Sequence, residues 1–174
     1  MRPPCRPTHF SRSGARQPLL KTATTISDLF PAAGDVLTLA PADKSELLGL
    51  LADEASRRLN RPREDILDAL QARERLGPTA LGRGVAMPHT RLPGLDTQLA
   101  LLARLSRPID FEARDGEPVD LVFLILWPEA ASEGFLPALA NVCRVLRNNQ
   151  LPRQLRQARS PAEALAMLQA TDQD

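Results

Sequence analysis

Tyrosine is absent from this 174-residue chain, and aromatic residues make up only 3% of it. The core must therefore be aliphatic, built mostly from leucine and alanine, and no aromatic platform is available for stacking nucleic-acid bases. Cysteine is nearly as scarce. Cys5 and Cys143 are too few and too far apart for a disulfide framework or a zinc site, which makes a reducing cytosol the natural compartment. The longest apolar run, Leu121 to Trp127, is far shorter than the ~20 residues a membrane-spanning helix needs. An excess of either charge is missing as well. The 22 basic and 21 acidic residues leave a formal net charge of +1, so net charge calls for neither nucleic acid nor an anionic membrane. Lysine is reduced to Lys21 and Lys44, and histidine to His9 and His89. No internal repeat and no metal-ligand cluster is visible, and neither a metal nor a cofactor is expected.

The N-terminal stretch differs from the rest. It carries Arg2, Arg6, Arg12, Arg16 and Lys21, and the first acid is Asp28. Prolines at 3, 4, 7 and 18 oppose an amphipathic transit helix, and no apolar segment reads as a secretory signal. The expectation is a disordered basic extension over 1–24, with a start assigned too far upstream as one explanation, followed by one domain over 25–174.

Within that domain the signals are regular. Thr25–Phe30 reads as a helical turn and Val36–Leu39 as a strand. Asp43 caps a helix running to about Leu59, with Glu46 completing a capping-box pattern and Leu47, Leu48, Leu50, Leu51, Ala55 and Leu59 forming its apolar stripe. Pro62 opens a second helix with Ile66, Leu67 and Leu70 buried, and Gly77 stops it. Candidate strands follow at 85–87, 98–105, 109–111 and 119–126, with Asp115-Gly116 as the turn before the last. The run Val119–Leu126 is apolar on both faces beyond Asp120, as in a central strand covered on both sides. A helix from Phe135 to about Asn148, with Leu136, Leu139, Val142, Val145 and Leu146 on one side, a short piece over 152–158 and a helix after Ser160-Pro161 complete the chain. The fold class is α/β, a mixed central sheet sandwiched by helices. Cys143 reads as a small core residue, and Trp127 as partly buried at the strand end, with an exposed interface anchor as the alternative.

The chemistry concentrates at Leu81-Gly82-Arg83-Gly84-Val85-Ala86-Met87-Pro88-His89-Thr90-Arg91. Pro88 stiffens the backbone before the imidazole, and Gly82 and Gly84 permit a tight turn. His89 is thus presented from a constrained segment, and imidazole is a nucleophile near neutral pH.

The stretch from Arg73-Glu74-Arg75-Leu76-Gly77-Pro78-Thr79 through Pro88-His89 resembles the active-site signature of the mannitol/fructose-type enzyme IIA domains of the bacterial phosphotransferase system. Its strongest similarity is to the nitrogen-related branch (PtsN, EIIA-Ntr). The block Arg107–Phe111 and Asp115–Leu126 agrees, so the resemblance covers nearly the whole domain as a PTS EIIA type-2 domain. It implies a phosphocarrier in which His89 accepts a phosphoryl group from an HPr-like protein (NPr) and Arg73 stabilises it. It also implies regulatory targets such as potassium transporters or sensor kinases, a cytoplasmic location and no membrane insertion. Thr90, Arg91 and Arg83 are further phosphate-contact candidates. The sequence departs from the family pattern at Phe135, where members commonly carry a second histidine, and at Pro78, where a serine is usual. A binding module that keeps the fold without phosphorylation is the alternative that Phe135 raises. DNA binding through the basic tail has no accompanying helix-turn-helix pattern.

Overall fold

The computed structural model describes residues 25–171. The expected basic extension over 1–24 lies outside the described residues. A six-stranded mixed sheet runs in the order β1-β5-β6-β3-β2, with β4 also paired to β6. Its strands are β1 (Val36–Leu39), β2 (Ala80–Gly82), β3 (Val85–Ala86), β4 (His89–Leu92), β5 (Leu99–Ile109) and β6 (Val119–Pro128). The helices are α1 (Ile26–Leu29), α2 (Lys44–Leu59), α3 (Arg63–Arg75), α4 (Phe135–Arg147), α5 (Gln150–Gln157) and α6 (Pro161–Ala170).

Strand β6 organises the molecule. It pairs antiparallel with β5 along one side, and parallel with β3 and then β4 along the other. Its side chains alternate between two cores, as a pleated strand requires. Leu121, Phe123, Ile125 and Trp127 join the core beneath α1, α4, α5 and α6, where Phe30 meets Phe123 edge-on at 6.1 Å. Val122, Leu124 and Leu126 join the core beneath α2 and α3. Each such side chain contributes roughly 1.5–3 kcal/mol when fully withdrawn from water. The expected mixed sheet between two helical layers is the observed architecture.

Local sequence explains how α2 and α3 begin and end. The Asp43 carboxylate accepts the Glu46 N–H at 2.8 Å, while the Glu46 carboxylate reaches past the cap to the Ala42 N–H at 2.6 Å. Pro62 is the N-cap of α3 and not a residue of its first turn; at Gly77, φ is +147° and the chain leaves the helix.

Four expectations change. Residues 98–105 and 109–111 form one strand to Ile109, because a register shift after Arg104 absorbs Pro108, which has no N–H to give the ladder. Phe111 lies beyond that strand yet is fully buried. On α4 the buried residues are Ala138, Val142 and Leu146, and Leu136 is turned outward. Finally, His89 begins a strand: Pro88 O accepts the Ile125 N–H at 3.0 Å, and pairing to β6 runs on through Leu92.

Candidate functional site

β4 carries His89 to the edge of the sheet, between the C-terminal end of α3 and the first turn of α4. The imidazole is half-buried and held at both nitrogens. Nδ1 lies 2.7 Å from the Met87 carbonyl, and Nε2 accepts the Arg73 Nε–H at 3.2 Å. A carbonyl only accepts and a guanidinium only donates. Both partners therefore require the same neutral tautomer, with the proton on Nδ1 and the lone pair on Nε2. Burial holds the imidazole pKa below its ordinary value; the Met87 carbonyl opposes that, the Arg73 charge reinforces it and the Glu74 charge opposes it.

Arg73 is itself held. Its Nη1 donates to Gly77 O at 3.1 Å, so the glycine that ends α3 also orients the guanidinium. On the other flank the Phe135 ring lies 5.9 Å from the imidazole and 6.1 Å from the Trp127 ring. Arg91 is two residues along β4, so it shares a strand face with His89, and its guanidinium sits 5.9 Å from the same Phe135 ring. Arg73, Arg91 and Phe135 thus surround His89.

Two candidates from the sequence are not brought to the imidazole. Alternation puts the Thr90 side chain on the opposite strand face, and its hydroxyl donates to Arg91 O at 3.4 Å. Arg83 reaches instead to the far end of α4, where it donates to Arg147 O and Asn149 Oδ1, each at 3.1 Å. The 13 residues of α4 separate that end from Phe135 by about 20 Å at 1.5 Å per residue. The Gly82-Arg83-Gly84 backbone, with φ of +87°, +55° and +76°, makes the turn from β2 to β3.

Sequence reasoning missed a third group. Beside Arg73, the Glu74 carboxylate is buried and takes the Lys44 ammonium at 2.9 Å, the Thr79 N–H at 3.0 Å and the Thr79 hydroxyl at 2.7 Å. Lys44 also pairs with Glu112 at 2.6 Å and lies 4.8 Å over the Phe111 ring. Burial alone would lower the Lys44 pKa, but its hydrogen bonds to Glu112 and Glu74 outweigh that and raise it. One signal for this group was present in the sequence. Lys44 opens α2, where the helix dipole disfavours a cation, so a nearby acid would favour it there.

Among the described residues, no group of three or more His, Cys, Asp or Glu is placed to hold a metal ion. No helix there is long and apolar enough to cross a membrane. The arrangement offers a neutral, aimed imidazole nitrogen with a guanidinium against it.

Known proteins resemble this chain in sequence and fold. Over 143 residues, covering 82% of this chain and 94% of the relative, it is 41% identical to the nitrogen regulatory protein of Bradyrhizobium diazoefficiens. The nitrogen regulatory protein of Pseudomonas aeruginosa is 43% identical over 102 residues, 59% of this chain and 66% of that one. The crystal structure of nitrogen regulatory protein IIA-Ntr from Neisseria meningitidis superposes with a TM-score of 0.77 at 31% identity, covering 82% of this chain and 98% of that chain. IIA mannitol from Escherichia coli has the same fold, with a TM-score of 0.66 at 18% identity over 79% of this chain and 97% of its own. Residues 35–171 match the family described as phosphoenolpyruvate-dependent sugar phosphotransferase system, EIIA 2. The chain belongs to that EIIA 2 family.

Proposed function

We propose that this protein is a phosphohistidine carrier of the nitrogen-related phosphotransferase branch. It takes a phosphoryl group on His89 Nε2 from the phosphohistidine of an HPr-like donor (NPr) and signals its phosphorylation state to partner proteins in the cytoplasm. Potassium transporters and sensor kinases are the partner classes to test. The observation that carries this reading is the paired restraint of the imidazole, Met87 O on Nδ1 and Arg73 Nε on Nε2.

The chemistry follows from those bonds. Phosphoryl transfer passes through a loose transition state, so catalysis is mostly positioning and charge stabilisation. The N–P bond of the donor breaks as the Nε2 lone pair forms the new one, and the donor imidazole departs with its electron pair. The proton stays on Nδ1, donated to the Met87 carbonyl, so no proton need leave His89. Arg73 Nε, now on the lone pair itself, moves to the incoming oxygens, where the guanidinium fork suits a phosphoryl group. Arg91, on the same strand face, supplies the second cation. Two exposed leucines, Leu76 at 85% and Leu136 at 71%, stand on either side of this site and offer apolar contacts to a docking donor.

Intact-mass spectrometry after incubation with phosphoenolpyruvate, enzyme I and the donor tests the reading. One acid-labile phosphoryl adduct is expected, absent from His89→Ala. No adduct, with the donor shown competent on another acceptor, would leave the second reading standing: a binding module on this fold, in which Phe135 occupies the place of a hydrogen-bond donor and contacts partners alone.

A further inference from the structure

We propose that Lys44 and Glu74 are positioning residues for His89, acting through Thr79 and Met87 along one continuous hydrogen-bonded chain that ends on imidazole Nδ1. This rests on His89 as the phosphoryl acceptor. The chain begins at Lys44 Nζ, 2.9 Å from Glu74 Oε1. Both Glu74 oxygens then receive Thr79, Oε1 from its N–H at 3.0 Å and Oε2 from its hydroxyl at 2.7 Å. The Thr79 carbonyl accepts the Met87 N–H at 2.9 Å, and the Met87 carbonyl meets His89 Nδ1 at 2.7 Å. The start of α2 is joined in this way to the end of α3, the loop before β2 and the link from β3 to β4.

Three features set this chain apart from a simple clasp between helices. Every donor between His89 and Glu74 points toward the carboxylate, so the negative charge supports the proton on Nδ1 and leaves the Nε2 lone pair for the phosphoryl group. Glu74 directly follows Arg73, so one peptide unit fixes the guanidinium in front of the imidazole and the carbonyl behind it. Finally, the carboxylate is buried, with its side chain 7% exposed, and a buried charge needs a partner. Lys44 is that partner, held at a helix start where the dipole opposes it. It tempers the carboxylate without neutralising it by proton transfer.

The charged groups that act on His89 are Arg73 and Glu74 from α3; Arg91 from β4 lies against the Phe135 ring, and Phe135 from α4 brings no charge. Lys44 reaches His89 only through Glu74. Removing either end of the ion pair therefore moves the imidazole in opposite directions. In Lys44→Met the carboxylate is unscreened and the His89 pKa rises. In Glu74→Gln the carboxylate charge is gone and the pKa falls. Lys44→Arg keeps the cation, and the open surface depression beside Lys44, Gln71 and Glu74 gives the larger head room.

The test is an NMR titration of the ring nitrogens of His89 in the full chain, assigned by His89→Ala, for wild type, Lys44→Met, Lys44→Arg and Glu74→Gln. Opposite shifts for Lys44→Met and Glu74→Gln, with Lys44→Arg near wild type, are expected. Transfer from phosphorylated donor is expected to slow on the order of 10-fold to 100-fold in kcat for Lys44→Met and Glu74→Gln, with KM little changed. An ion pair that only pins α2 to α3 would lower Tm in both and leave the titration where it was, and that result would overturn the proposal. If Glu74→Gln does not fold, the contrast between Lys44→Met and Lys44→Arg decides the matter. If wild type accepts no phosphoryl group, the carrier reading fails, while the titration still reports on the chain.

Discussion

The two nitrogens of His89 have different tasks, and each can be tested separately. Nδ1 carries the proton to Met87 O; Nε2 faces Arg73. Arg73→Met removes the donor from the reacting nitrogen, and loss of one such preorganised donor costs about 100-fold or more in rate. Rapid-quench transfer from phosphorylated donor should show that loss in kcat, together with a rise of the His89 pKa now that the Arg73 charge is gone. Acid stability follows from the same ring. Its pKa in the folded protein lies below the value in an unfolded chain, chiefly through burial. As pH falls, the unfolded chain binds the proton first. The stability owed to the neutral imidazole is therefore whole above the ordinary histidine range, and is lost as pH falls through that range to the lowered value. Thermal unfolding from pH 8 to pH 5 should lose less stability in His89→Gln than in wild type, and parallel profiles would refute this. Phe135 adds a third test at this scale. Its ring touches His89 but offers no hydrogen bond, and a charge-assisted bond there is worth roughly 1.5–3 kcal/mol. Phe135→His should lengthen the half-life of the phosphorylated protein about 10-fold or more.

Among the elements, the turn from β2 to β3 is the most tightly determined. A Cβ at Gly84 would lie 2.6 Å from Arg156 Nη2 and 3.3 Å from Pro118 O, on a backbone with φ of +76°. Arg156 cannot yield easily, because its Nε and Nη2 also hold Asp120 at 2.7–3.0 Å. Gly84→Ala should thus destabilise the fold by about 1–3 kcal/mol in chemical denaturation, and an unchanged midpoint would contradict that. The same elements explain what the sequence disclosed. The starts of helices α2 and α6 were legible, because Asp43 and Ser160 cap them through contacts three residues away. Strand β4 was not: His-Thr-Arg-Leu between two prolines has no apolar alternation, and only pairing with β6 makes it a strand. Leu136 was misplaced because helical periodicity counts residues without knowing which arc of α4 the sheet covers. Arg73 and His89, hydrogen-bonded in the structure, were singled out through a motif, whereas the Lys44–Glu74–Thr79 group is assembled from α2, α3 and the loop beyond. No local window contains it.

For the whole molecule, the division between folding and docking falls along burial. The two cores on either side of β6 hold the large aliphatic and aromatic side chains that withdraw from water, and stability resides there. Leu76 and Leu136 are nearly as exposed in the folded chain as in an unfolded one, at 85% and 71%. Their burial therefore contributes little to folding, and surface substitutions of this kind usually fall within about ±0.5 kcal/mol. Yet, on the proposed function, they flank His89, one beside the Arg73 helix end and the other beside Phe135, where a phosphoryl donor would approach for in-line transfer. The double variant Leu76→Ser/Leu136→Ser should unfold within about 0.5 kcal/mol of wild type. It should keep the His89 titration unchanged, because neither leucine carries charge. Steady-state phosphorylation against donor concentration should then show KM raised about 10-fold, as expected for losing roughly 1.4 kcal/mol of contact, with kcat preserved. A lowered kcat at unchanged KM would mean that the leucines shape the site, and an unaltered KM would mean that the donor docks elsewhere.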